Sequence, residues 1–255
     1  MALIILVTGA TAGFGAAMTR RFVRDGHRVI AAARRVDLLA ALHHELGASV
    51  FPLALDVTDA AAVAALPDSL PPAWRDVDVL VNNAGLARGL DPAQKAKIVD
   101  WDLMVAVNVT GMMHMTHALL PGMVERNRGH VINISSTAAT YPYPGGHVYG
   151  ASKAFVTQFS LNLRADLAGL SVRVTDLEPG LVGGTEFSVN RFGGDTARAG
   201  AVYAGTVPLT ADDIAEAAAW VVGLPPHMNI NRMEIMPTCQ APGPLTIKRS
   251  RTTPA

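Results

Sequence analysis

The chain has 255 residues, half of them apolar and 16% charged, with 21 basic side chains balanced by 21 acidic ones. That is material for one sizeable core, and a formal net charge of zero excludes the basic excess of a nucleic-acid-binding surface. The lone cysteine, Cys239, leaves no internal disulfide and no cysteine-based metal site. The opening apolar run is too short for a signal peptide or a membrane span, so a cytoplasmic setting with no membrane or nucleic-acid partner is expected.

Residues 3–7 are unbroken apolar and predict a buried first strand. The strand empties into TGATAGFG, residues 8–15, and a helix follows over residues 15–25. Glycine permits positive φ and close backbone approach, and a helix N-terminus offers free amides to a phosphate. Next come a strand at 28–32, a helix at 35–46, a strand at 50–53 and a helix at 60–66. A strand at 77–81 leads into Asn82-Asn83-Ala84-Gly85, then a long helix at 101–126 and a strand at 130–134. A helix at 152–168, a strand at 172–177, a helix near 211–223 and a strand at 232–236 complete the pattern. The strands lack polar alternation, as expected when helices cover both faces of a sheet.

Alternation of this kind predicts an α/β fold, a doubly wound parallel sheet of Rossmann type, as one domain spanning residues 1–255. Two segments stand outside the pattern. Residues 180–208 are glycine-rich with weak periodicity and predict a functional substrate loop. Residues 237–255, with Pro242, Pro244 and Pro254, predict an extended tail placed to dock on another subunit.

Ligands of such sheets bind beyond the carboxyl ends of the strands, where strand order reverses. The second strand ends in Ala33-Arg34-Arg35, with no carboxylate before Asp37. An acid there would hold the ribose hydroxyls of NAD, whereas guanidinium groups bind the 2′-phosphate of NADP in a charge-assisted, bidentate manner. The expected cofactor is therefore NADP(H). Downstream, Tyr149 and Lys153 share a helix face at four-residue spacing, with Ser136 thirteen residues before the tyrosine. An ammonium beside a phenol favours the phenolate, lowering a pKa that is about 10 unperturbed, and a serine hydroxyl can polarise a carbonyl for hydride attack.

The spacing T-G-x-x-x-G-x-G, the N-N-A-G turn, Asn108, Ser136 and Tyr149-Gly-Ala-Ser-Lys153 together resemble the short-chain dehydrogenase/reductase family, over residues 3–186. The resemblance implies that Tyr149 is the acid–base residue, that Ser136 orients substrate, and that Lys153 holds the nicotinamide ribose. It implies that Asn108 kinks its helix to keep a relay water. It also implies a cofactor lining of Gly9, Thr11, Gly13, Phe14 and Gly15 at the turn, Arg34 and Arg35 at the phosphate, and Asp56 and Val57 at the adenine. Asn83, Ala84 and Gly85 continue that lining, with Tyr149, Lys153, Pro179, Gly180, Val182 and Thr185 toward the nicotinamide. No metal is expected: His114 and His117 lie three apart on the long helix but read as packing or subunit contacts. Relatives pair the long helices into dimers and tetramers, so a homotetramer or a dimer is expected.

Finer similarity, in "LPGMVERN", "YGASKAFVTQFSLNLRADL" and "VRVTDLEPGLVGGTEFS", is to the bacterial NADP-dependent 3-hydroxy acid dehydrogenases. It implies oxidation of serine, allo-threonine or 3-hydroxypropionate, or reduction of the matching semialdehyde. The chain departs from that subgroup at Ser135, Tyr141 and His147. A sulfoacetaldehyde or other short aldehyde or ketone reductase is the alternative enzyme; an NADPH-binding redox sensor without turnover is the alternative outside enzymes. A small anionic substrate needs a cation, and Arg191 in the 180–208 loop is the first candidate, His147 the second, beside Ser136 and Tyr149 at the reacting group.

Overall fold

A computed structural model describes residues 2–243 of the chain. Seven strands, β1 (Ile4–Thr8), β2 (Arg28–Ala33), β3 (Val50–Ala54), β4 (Val79–Asn82), β5 (Gly129–Ile134), β6 (Val172–Pro179) and β7 (Arg232–Ile235), form one sheet in the order β3-β2-β1-β4-β5-β6-β7. Every pairing is parallel, for instance Ile5 with Val29 on one side and with Val79 on the other. The helices are α1 (Gly13–Arg24), α2 (Val36–Leu46), α3 (Ala60–Ser69), α4 (Ile98–Val105), α5 (Met112–Glu125), α6 (His147–Asp166), α7 (Glu186–Arg191), α8 (Thr196–Ala201) and α9 (Ala211–Gly223).

Strand side chains alternate between two cores, which is why the strands read as continuous apolar runs. Ile5, Val7, Val29, Ala31 and Val81 pack with Met18 and Phe22 of α1, Leu39 of α2 and Ala218 of α9. Leu6, Ile30, Leu80 and Val131 point to the other face, against Leu66 of α3, Met115 and Met123 of α5 and Leu163 of α6. Each large side chain fully withdrawn from water in this way contributes about 1.5–3 kcal/mol. Strand order reverses between β1 and β4, and the crevice opens at their carboxyl ends.

Buried polar side chains tie the crevice floor together. Asn82 donates to Thr116 at 2.9 Å and to Asn133 at 2.8 Å, and Asn133 donates to Ser160 at 2.8 Å. The Thr8 hydroxyl donates to the Val81 carbonyl and accepts from the backbone amides of Asn83 and Ala84. The first strand thereby holds the N-N-A-G turn in place.

Four expectations change in detail. The long helix begins at Ile98 and contains a π-helical turn, Ala106–Gly111, because the side chain of Asn108 is drawn out to the Leu86 backbone. By length and composition the stretch Ile98–Glu125 could cross a membrane, but Met104, Met112, Met115 and Met123 are buried in the fold. The last helix before β6 starts at His147, not Ser152, so Tyr149 lies in its first turn. The 180–208 segment is not bare loop: it forms α7 and α8, capped by the side chains of Thr185 and Asp195, and its two ends are joined by an isolated parallel bridge between Val182 and Leu209. Of the expected tail, residues 244–255 lie outside the described residues. The described part turns back on its own chain, where Gln240 accepts from the Leu181 amide at 2.7 Å.

Candidate active site

Two adjoining cavities open at the switch point. The first, about 500 Å³, runs from Gly9, Thr11, Gly13 and Phe14 past Arg34, Arg35, Asp56 and Val57. It continues over Asn83, Ala84 and Gly85 to Tyr149, Lys153 and Thr185. The second, about 330 Å³, is lined by Ser136, Tyr149, Pro179, Gly180, Val182 and Arg191, with Phe14 and Thr185 again on the wall. Tyr149 faces both.

The turn has the properties of a phosphate cradle. Gly9 and Gly13 have φ of +66° and +48°, a region costly for residues with a Cβ. Gly15 lines neither cavity but lies beneath the first: a Cβ there would fall 2.2 Å from the Gly9 carbonyl oxygen. Helix α1 has Ala12 at its N-cap, with no side-chain cap and no acid in its first turn, leaving its amides and positive dipole end to an anion. At the far end Arg34 pairs with Asp56 at 3.7 Å, and Arg35 reaches Thr11 at 3.4 Å. Burial would raise the Asp56 carboxyl, but the amide and hydroxyl of Thr58 and the Arg34 charge outweigh it and hold the pKa low. Cradle, cavity lining and guanidinium pair fit a dinucleotide carrying a phosphate on its adenosine ribose.

At the reacting end the side chains come from different elements. Asn108, buried in the π turn, accepts from the Leu86 amide at 2.8 Å, and donates to the Leu86 carbonyl at 2.9 Å and to Ser152 at 3.1 Å. Ser136, after β5, donates to the Pro179 carbonyl at 3.4 Å. Lys153 is buried and donates to the Ile134 carbonyl at 2.8 Å, its Nζ 5.8 Å from the centre of the Tyr149 ring. Burial drives the Lys153 pKa down to about 8, against the opposing pull of Asp176.

Burial of the phenol works against the lowering of the Tyr149 pKa expected from Lys153. Burial pushes the phenol up to about 12, and the Ser136 hydrogen bond pulls it back. Tyr143 adds to the rise, while Arg191 opposes it. The ammonium is committed to the Ile134 carbonyl, so the phenol feels desolvation more than Lys153.

Of the two candidate anion partners, the structure brings one to the site. Arg191 lines the second cavity with its guanidinium 5.4 Å from the Tyr149 ring centre. His147 lines neither cavity. Its ring packs on Trp101, with Nε2 3.2 Å from the Asp91 carbonyl, because the first turn of α6 directs it opposite to Tyr149. Sequence reasoning missed Tyr143, Glu186 and Asp176. Tyr143 lies in the aperiodic turn YPYPGG and bonds to the Arg191 guanidinium, which no local pattern announces. Glu186 pairs with Arg35 across the cleft. Asp176 had a visible signal, an acid inside an apolar strand; it is fully buried and accepts from Thr157 at 2.6 Å.

A parallel sheet with a glycine phosphate turn at its switch point, and a serine, tyrosine and lysine converging beyond it, defines a nucleotide-dependent dehydrogenase scaffold. The chain belongs to the short chain dehydrogenase family, whose model matches residues 3–194. It is 60% identical over 248 residues to the NADP-dependent 3-hydroxy acid dehydrogenase YdfG of Salmonella typhimurium, covering 97% of this chain and 100% of that protein. It is 51% identical over 237 residues to serine 3-dehydrogenase of Rhizobium radiobacter, covering 93% of this chain and 94% of that one. Among solved structures, the closed form of serine dehydrogenase complexed with NADP+ superposes with a TM-score of 0.95 at 56% identity, covering 97% of this chain and 100% of the other.

Proposed function

We propose that the chain is an NADP(H)-dependent oxidoreductase that interconverts a short 3-hydroxy acid with its 3-oxo acid: a semialdehyde from serine or 3-hydroxypropionate, a β-keto acid from allo-threonine. The observation that carries this reading is the meeting of the two cavities at Tyr149, with the cofactor lining on one side and Arg191 on the other. The dehydrogenase names of the relatives support the reaction class and the cofactor.

When bound, the nicotinamide supplies the hydride acceptor for oxidation and the donor for reduction. Gly9, Gly13 and the α1 amides hold the diphosphate, Arg34 and Arg35 the ribose phosphate, and Lys153 the nicotinamide ribose. In oxidation the Tyr149 phenolate takes the proton of the 3-hydroxyl as the same carbon gives up its hydride and the C=O bond forms. In reduction the Tyr149 hydroxyl returns that proton to the carbonyl oxygen. Ser136 donates a hydrogen bond to the same oxygen, where negative charge accumulates in the transition state. Arg191 orients the substrate by its carboxylate.

Assembly into a homotetramer or dimer is supported by apolar side chains left exposed on long helices, among them Val105 (44%), Phe155 (38%) and Trp220 (52%). A cytoplasmic location accords with the family.

The test is a panel of serine, allo-threonine, 3-hydroxypropionate, malonic semialdehyde, sulfoacetaldehyde and a neutral aldehyde, assayed with both nicotinamide cofactors, alongside a Tyr149→Phe variant. Turnover concentrated on the 3-hydroxy acids with NADP(H), and reduced about 100-fold or more by Tyr149→Phe, is expected. A preference for sulfoacetaldehyde, or cofactor binding with no turnover at all, would replace the reading.

A further inference from the structure

We propose that Tyr143 is a positioning residue for substrate choice: its hydroxyl fixes the Arg191 guanidinium as a preset anchor, and so gives the site its preference for anionic over neutral substrates. The proposal rests on the reading of Arg191 as the substrate's cation, and it assigns what holds that cation in place.

The sequence around Tyr143 makes a stiff support. Tyr141-Pro142-Tyr143-Pro144-Gly145-Gly146 leads directly into α6 at His147. The prolines fix their own φ, and Pro144 confines Tyr143 before it to extended backbone. The Gly146 amide donates to the Tyr143 carbonyl at 3.0 Å and closes the turn. Close packing then leaves the turn no room to shift. A Cβ on Gly145 would fall 2.4 Å from the Leu90 carbonyl oxygen, and one on Gly146 would fall 2.7 Å from the Tyr143 ring. The ring also packs against the cluster of Ala87, Met104 and Tyr149. Tyr143 is thereby fixed relative to the first turn of α6, which carries Tyr149.

Arg191 reaches this support from a distant part of the chain. Its Nη2 donates to the Tyr143 hydroxyl, and its Nε donates to the Gly89 carbonyl at 3.3 Å. The Gly89 amide donates to the Arg191 carbonyl at 2.9 Å, and Arg88 donates to the Asn190 carbonyl at 2.6 Å, so α7 is docked through its backbone as well. Both partners of the guanidinium are neutral oxygens, which orient it without cancelling its charge. Among the described residues no carboxylate lies within ion-pair distance of Arg191, and Nη1 has no hydrogen-bond partner there. Tyr143 and Arg191 both line the second cavity. A half-buried cation oriented in this way presents its remaining donors to an anion.

Arginine has many rotamers, and freezing such a side chain at the moment of binding weakens affinity. Here the ordering belongs to the folded protein. The Gly89 contact is backbone, so the Tyr143 hydroxyl is the part of this support that a substitution can remove. Tyr143→Phe deletes it and keeps the ring that packs on Gly146.

The experiment compares wild type, Tyr143→Phe, Arg191→Ala and the double variant with NADPH. Each is assayed on propanal and on an anionic aldehyde, malonic semialdehyde or sulfoacetaldehyde, whichever the wild type turns over faster. Propanal turnover reports that the fold and the Tyr149 chemistry are intact. In Tyr143→Phe we expect KM for the anionic aldehyde to rise roughly three- to tenfold, with kcat and all propanal constants close to wild type. In the Arg191→Ala background, Tyr143→Phe is expected to change the anionic-to-neutral ratio no further, because the hydroxyl acts through the guanidinium. An unchanged ratio in Tyr143→Phe, with Arg191→Ala lowering it, would overturn the proposal. So would an equal drop in both backgrounds, which would mean that the hydroxyl touches substrate itself, or an equal loss on both aldehydes, which would mean a structural role alone. A ratio unchanged by Arg191→Ala would instead remove the reading on which the proposal stands.

Discussion

Arg35, at the end of β2, and Glu186, at the start of α7, meet across the mouth of the cofactor cleft at 3.1 Å. A ribose phosphate seated on Arg35 has to compete with this carboxylate. Both side chains are well exposed, and such pairs contribute little. Replacing Glu186 with Gln is therefore expected to tighten NADPH binding by only about two- to fivefold. Arg35→Ala removes a charge-assisted contact to the phosphate, and is expected to weaken NADPH about tenfold or more while affecting NADH far less. Calorimetric titration of wild type and both variants with NADPH, and of wild type and Arg35→Ala with NADH, checks both.

Gly15 tests the cradle by sterics alone. An added methyl group would meet the Gly9 carbonyl oxygen at 2.2 Å and the Asn83 side-chain nitrogen at 2.7 Å, and neither the turn nor the N-N-A-G segment can retreat without the other. Gly15→Ala is expected to cost about 2 kcal/mol or more of stability and to abolish measurable NADPH binding. Thermal melts with and without NADPH are the measurement; a variant still stabilised by the cofactor to the wild-type extent would contradict the packing argument.

Asp176 makes a prediction about pH. Burial, with a smaller push from Glu178, raises its pKa to about 7, against the hydrogen bond from Thr157. The folded value thus lies above the ordinary carboxyl value of 3.8, so the folded state binds the proton more tightly. The stability this contributes is complete below the unfolded pKa and is lost as pH rises through about 7. Asp176→Asn cannot ionise. Its Tm relative to wild type is expected to be higher at pH 8 than at pH 4, and parallel Tm curves across that window would refute the assignment.

Arg191 also makes a prediction at the level of substrate choice. Its guanidinium lines the second cavity beside Tyr149, so Arg191→Ala is expected to lower the preference for anionic over neutral aldehydes by about tenfold or more, chiefly through KM. The ratio of kcat/KM for malonic semialdehyde to that for a neutral aldehyde of equal length measures it. An unchanged ratio would take Arg191 out of the substrate site.

The sequence alone was enough for a doubly wound sheet of parallel strands and for the glycine turn. Apolar runs, helical periodicity and the i, i+4 pair Tyr149–Lys153 are local properties, and local spacing is what a buried parallel sheet and a helix face impose on a chain. The arginines after β2 belong to the same class, since a residue type at a strand end needs no distant partner to be read.

Tertiary structure alone decided what lies opposite what. His147 and Tyr149 are two residues apart, yet the turn of α6 sends one to Trp101 and the other into the cleft. Arg191 reaches Tyr149 only because Gly89, about a hundred residues earlier, clamps α7 in place. The Tyr149 pKa follows the same rule: spacing announced a lysine one turn away, but desolvation depends on everything packed around the phenol. Burial and charge are summed over contacts between segments far apart in the chain, and no local pattern contains that sum.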